Sequence, residues 1–138
     1  MSPVVVDASV ALAWCFPDES SGYADRVLVA LENREVLVPA LWPVEVTNAL
    51  LVAERRRRIG PAHIQRYISL LSGLEVAMDS QTVAESVARL LPLGRANGLS
   101  AYDAAYLDVA LRHAASLATL DARLRDVARK SGVEIFAG

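Results

Sequence analysis

Cysteine is almost absent. Cys15 stands alone in 138 residues, which excludes an intramolecular disulfide and any cysteine-based zinc site. The only two histidines, His63 and His113, lie far apart in the chain, so a local histidine pair for zinc is missing too. Basic residues show no excess: the net charge is −2 and the pI is near 5.6. That balance argues against a protein that grips nucleic acid through bulk positive charge alone. The first basic residue is Arg26, so no positive leading stretch of a secretory signal is expected. No apolar run reaches the roughly 18 residues of a membrane span, because Asp7 and then Asp18–Glu19 interrupt the first one. A cytoplasmic protein without a membrane partner is expected.

What fills the chain is aliphatic. Hydrophobic residues make up 54%, aromatics only 6% and charged residues 22%. Such a chain can bury a core and still leave apolar surface for a partner. The length predicts one domain, 1–138, and the chain shows no repeat, linker or low-complexity tract.

Strand-like and helix-like stretches alternate. Pro3 to Asp7 is a short β-branched run, apolar on both faces, as in a central parallel strand. Ala8 to Phe16 predicts a short helix closed by Pro17, and Tyr23 to Asn33 an amphipathic one. Glu35 to Pro39 predicts a second strand. Pro43 sits in the first turn of a helix that runs to the Arg55–Arg58 cluster, where Gly60-Pro61 breaks it. Then come a helix over Ala62 to Ser72, a weaker strand over Leu74 to Met78, and a helix over Gln81 to Ala96. Asn97-Gly98 stops that helix, and Ser100 opens another that runs to Ala114. Ser116 to Leu120 predicts a strand, Ala122 to Ser131 a helix, and Val133 to Phe136 a last short strand. The class is α/β with a mostly parallel sheet.

Ligands of such sheets bind beyond the carboxyl ends of the strands, and four acids fall there. Asp7 ends the first strand and Asp121 the fourth; Glu45 and Asp103 lie in first turns of helices. Each alone has a local explanation. Asp7 and Asp121 suit N-caps, Ser100-x-x-Asp103 suits a capping box, and Glu45 suits the helix dipole. Their surroundings need more. No Lys or Arg lies within four residues of Asp7, Glu45 or Asp103, and carboxylates among apolar residues are costly without a counter-charge. Oxygen donors with no histidine or cysteine nearby point to a hard divalent ion, Mg²⁺ or Mn²⁺.

Four segments carry a resemblance: Val4-Val-Val-Asp7-Ala-Ser9, Pro43-Val-Glu45-Val-Thr-Asn48-Ala-Leu, Ser100-Ala-Tyr102-Asp103-Ala-Ala-Tyr106-Leu, and Leu117-Ala-Thr119-Leu-Asp121-Ala-Arg-Leu124. In order and spacing the chain resembles the PIN-domain ribonucleases, in particular the VapC-type toxins of type II toxin–antitoxin pairs. The resemblance spans Val4 to Phe136. It implies a PIN-like domain with a parallel sheet of about five strands, order 3-2-1-4-5, flanked by helices. It also implies an Mg²⁺-dependent ribonuclease, with Mn²⁺ as a substitute ion, whose cluster is Asp7, Glu45, Asp103 and Asp121. Asp7 and Asp103 would be the direct ligands, and Asp121 and Glu45 would act through metal-bound water. Ser9, Asn48 and Thr119 would orient them from behind. The implied partners are an RNA substrate, a cognate VapB-type antitoxin and a second copy of the chain, in a homodimer and a toxin–antitoxin hetero-oligomer. The alternative is a non-catalytic PIN-fold module that binds RNA or protein.

Other classes fail on particular residues. A receiver domain needs paired acids after the first strand and a late strand-end lysine, but Asp7 is single and the only lysine, Lys130, lies in a helix. A haloacid-dehalogenase-type phosphatase needs Asp-x-Asp where this chain has Asp7-Ala8-Ser9. A dinucleotide fold needs glycine between Asp7 and Ala13, and there is none. The Arg55–Arg58 run fits a solvated helix end, an RNA phosphate contact or an acidic partner. Arg26 and Arg95 are further candidates for substrate contact. Asp108, five residues past Asp103, is expected on the surface, as are His63 and His113. Cys15, Trp14 and Trp42 are expected in packing. The aliphatic surplus around Leu50, Leu51, Ile68, Leu70 and Leu71 suits a dimer face.

Overall fold

The computed structural model describes residues 2–138. The elements follow in the order β1 (Val4–Val6), α1 (Ala8–Ala13), α2 (Gly22–Ala30), β2 (Val36–Val38), α3 (Trp42–Arg55), α4 (Pro61–Ser72), β3 (Val76–Met78), α5 (Val83–Asn97), α6 (Ala101–Arg112), β4 (Ser116–Ala118) and α7 (Ala122–Lys130). Four parallel strands form one sheet in the order β3-β2-β1-β4. Val4–Val6 and Val36–Val38 are wholly buried, as two-sided apolar runs in a covered sheet must be.

The expected fifth strand is not one. Val133 to Phe136 makes a single bridge, Ile135 beside Leu117, on the free edge of β4. Its place agrees with the order 3-2-1-4-5, but the Phe136 carbonyl leaves the sheet and accepts from the Tyr23 hydroxyl of α2 at 2.7 Å. Only Leu117 N–H to Glu134 O and Phe136 N–H to Leu117 O, each 2.9 Å, pair it with the sheet. The first helix also stops early, at Ala13, and the Trp14 indole that follows donates to the Ala24 carbonyl at 2.9 Å.

β1 lies centrally, and the chain leaves it for β2 on one side and β4 on the other. The carboxyl ends of β1 and β4 are therefore neighbours, and the Asp7 N–H donates to the Ala118 carbonyl at 3.0 Å. α6 covers this junction through Tyr106, Leu107 and Ala110, all buried. α5 is different: none of its fifteen residues is buried. Among the described residues no helix is long and apolar enough to cross a membrane.

Candidate active site

Asp7 is 7% exposed, and one of its carboxylate oxygens is doubly engaged. Its Oδ2 accepts from the Ser9 hydroxyl at 2.9 Å and from the Thr119 hydroxyl at 2.7 Å. Both hydroxyls have their protons committed to Asp7, so their lone pairs turn to the backbone after β4. Ser9 Oγ accepts from Leu120 N–H at 3.1 Å, and Thr119 Oγ1 from Asp121 N–H at 3.0 Å. Two hydroxyls thus staple the end of β1 to the turn that presents Asp121. Asp121 Oδ1 caps α7 through Leu124 N–H at 2.9 Å. Ser100 Oγ caps α6 through Asp103 N–H at 3.2 Å, which sets Asp103 in the first turn.

Glu45 stands in the first turn of α3, behind Pro43. Its carboxylate accepts from the Tyr106 hydroxyl of α6. Burial pushes the Glu45 carboxyl up; the Tyr106 hydrogen bond opposes this, and the charges of Asp7 and Asp103 add to it. Burial likewise raises the Asp103 carboxyl, reinforced by Asp121 and then Asp7. Asp103 therefore stands within electrostatic reach of the other three acids, and Asp7 within reach of Glu45. Among the described residues, no three Asp, Glu, His or Cys side chains close on one point tightly enough to cage an ion by themselves. An all-carboxylate set gathered in this way suits Mg²⁺ or Mn²⁺, since Mg²⁺ typically takes one or two carboxylates and keeps its waters. The donor chemistry fits such an ion.

Of the supporting residues, Ser9 and Thr119 hold Asp7 directly, whereas Asn48 is exposed and makes no hydrogen bond to the four acids. Arg26 and Arg95 also make no hydrogen bond or ion pair to them among the described residues. Two side chains that act on the cluster carried no role in the sequence: Tyr106, which donates to Glu45, and Arg123, whose charge acts on Asp103. Both lie in the motifs quoted above, one turn past Asp103 and two residues past Asp121.

Asp108 corrects an expectation. It is 1% exposed, not superficial, and takes Arg89 Nε at 2.6 Å, Arg112 Nε at 3.0 Å and Gln81 Nε2 at 3.1 Å. Arg112 also pairs with Asp79, just past β3, which His113 contacts at 2.7 Å. His63 is half-buried and points Nε2 at the Cys15 carbonyl, 2.7 Å away. Cys15, Trp42 and most of Trp14 are packed inside, as expected. In the arginine run, Arg58 pairs with Asp18 at 3.0 Å and lies over the Phe16 ring. Arg55, Arg56 and Arg57 are exposed.

A protein-family model described as the PIN domain matches residues 4–130. This chain is a PIN domain. A VapC ribonuclease of Mycobacterium bovis is 36% identical over 123 residues, covering 89% of each chain, so this PIN domain belongs with the VapC proteins. Ribonuclease VapC3 of Pyrobaculum aerophilum is 29% identical, over 89% of this PIN domain and 92% of the relative. Among solved structures, VapBC2 of Rickettsia felis, bound to a DNA fragment from its promoter, superimposes with a TM-score of 0.68 at 13% identity. That match covers 96% of both chains and shows the shared fold.

Proposed function

We propose that this PIN domain is a metal-dependent ribonuclease and the toxin of a toxin–antitoxin pair. What supports the reading is that acids from four separate elements act on one another's charge at the carboxyl edge of the sheet, Asp7 and Asp103 on Glu45, and Asp7 and Asp121 on Asp103. Four carboxylates in mutual repulsion are a poor structural device and a good cation site. The relatives named as VapC ribonucleases support the activity, and the VapBC2 complex supports an antitoxin partner.

Asp7 and Asp103 would hold the ion, with Glu45 and Asp121 reaching it through water. A bound Mg²⁺ or Mn²⁺ would supply charge neutralisation at the scissile phosphate and a more acidic water. The chain's own residues do the rest. Ser9 and Thr119 hold Asp7 in one rotamer, and because each donates its proton there, the Asp7 carboxylate stays an acceptor on that side. Tyr106 fixes the Glu45 carboxylate and leaves its other oxygen for water. Without a cation the four acids would repel the phosphate backbone, so RNA binding itself should depend on metal.

Purified protein is expected to cut RNA with Mg²⁺ or Mn²⁺ and to stop in excess EDTA. Cleavage that continues in chelator would remove the metal from this reading. Binding without any cutting in either condition would favour a non-catalytic module.

Apolar surface supports protein partners on two faces. One is a groove of about 390 Å³ between α3 and α4, lined by Leu50, Leu51, Ile64, Ile68 and Leu71 among others. The second is the exposed α5 stripe Val83, Val87 and Leu91, at four-residue spacing along the helix. Expression of the chain alone should arrest growth, and co-expression of a VapB-type partner should relieve it. Harmless high-yield expression of the lone chain in a permissive host would count against a toxin.

A further inference from the structure

We propose that Arg123 is a positioning residue, a latch between the loop that leads into Asp103 and the turn that carries Asp121, and that it sets how tightly the cluster binds a divalent cation. The inference rests on the metal reading of the four acids. Arg123 lies in the first turn of α7, two residues past the capping Asp121. Its Nη2 donates to the carbonyl of Gly98. Gly98 closes α5 in the left-handed region at φ 62°, two residues before Ser100, whose hydroxyl caps Asp103. Each end of this one hydrogen bond is therefore a short, capped stretch of chain from a carboxylate. Among the described residues, no other hydrogen bond or ion pair joins these two stretches.

Glycine at position 98 serves the latch twice. The positive φ disfavours any side chain, and a Cβ built there would stand 2.8 Å from Arg123 Nη2, inside contact distance. A larger residue would both strain the turn and push the guanidinium away.

The latch and a plain charge effect predict opposite signs. The guanidinium is a cation near Asp103, and a cation near a metal site repels the metal. If charge were all it contributed, removing Arg123 should tighten metal binding. If it holds Asp103 and Asp121 in approach, removing it should loosen binding, by about tenfold, as for other supporting contacts at metal sites.

The experiment is Mn²⁺ titration followed by electron paramagnetic resonance, on wild type, Arg123→Ala, Arg123→Met, Gly98→Ala and the Gly98→Ala/Arg123→Ala double variant. Metal-free thermal unfolding of each confirms that it is folded. The latch predicts about tenfold weaker Mn²⁺ binding in each single variant, and a double variant no weaker than either alone, because both ends belong to one contact. Arg123→Met keeps the apolar stem and so isolates loss of the donor. Should Gly98→Ala not fold, the two Arg123 variants decide by sign. Tighter or unchanged Mn²⁺ binding in them overturns the latch, as does an additive double variant. A wild-type protein that binds no Mn²⁺ overturns the metal reading and the latch with it.

Discussion

Asp103→Asn is expected to lower RNA cleavage more than about 100-fold, beyond what loss of a supporting contact costs at a metal site, while the metal-free protein becomes no less stable. The two halves have one cause. Asparagine keeps the shape of the side chain, and the Ser100 cap on the backbone N–H of residue 103 survives. What disappears is one of four mutually repelling charges. Burial and the charges of Asp121 and Asp7 raise the Asp103 carboxyl, and burial raises Glu45. A carboxyl raised in the folded state binds its proton more readily there than in the unfolded chain. Metal-free stability should therefore climb as pH falls from neutral through the raised values, down to the ordinary carboxylate range. Asp103→Asn should flatten that climb. Single-turnover cleavage at saturating Mg²⁺, paired with chelated thermal melts across pH, measures both. A variant that melts lower yet cuts at the wild-type rate would make Asp103 a structural residue only.

The capping and cluster roles, which compete when each acid is considered from sequence alone, coexist in the structure. Asp7 is the N-cap of α1 and Asp121 the N-cap of α7, while Ser100 caps the helix of Asp103. Capping fixes where these carboxylates stand, and the order of the strands makes them neighbours. The cap signals and the acids were legible because both are local. Tyr106 and Arg123 were not, because each acts on a partner distant in sequence: Tyr106 on Glu45, Arg123 on Gly98. Asn48 shows the converse. Its place in a familiar motif, one turn past Glu45, implies a supporting role, and on α3 it is exposed with no bond to the acids to show it. The two central strands were legible from their valine runs, and the last one fell short because Val133 to Phe136 divides its bonds between Leu117 of β4 and Tyr23 of α2.

Asp108 marks the limit of helical arithmetic. Five residues past Asp103 does turn it away from the cluster, but that far side is not solvent. α5, which buries no residue of its own, lies there, and Arg89 reaches across to Asp108. An ionic contact takes the place that apolar burial fills elsewhere. Asp108→Ala should accordingly cost about 3 kcal/mol, the low end for breaking a buried ion pair. It falls at that end because Arg89 is half exposed and can regain water, and because Arg112 keeps Asp79. The remaining Asp79–Arg112 pair has its own signature. The Arg112 hydrogen bond, aided by His113 and opposed by burial, holds the Asp79 carboxyl below its ordinary value. Its stabilisation is complete above the ordinary carboxylate range and lost as pH falls through the lowered value, the reverse of the Asp103 trend. Urea unfolding at neutral pH tests the first claim, and acid unfolding of Asp79→Asn against wild type tests the second. The Asp79→Asn deficit should be largest near neutrality and vanish in strong acid. A cost under about 1 kcal/mol for Asp108→Ala, the range of exposed ion pairs, would return Asp108 to the surface role that its spacing alone suggests.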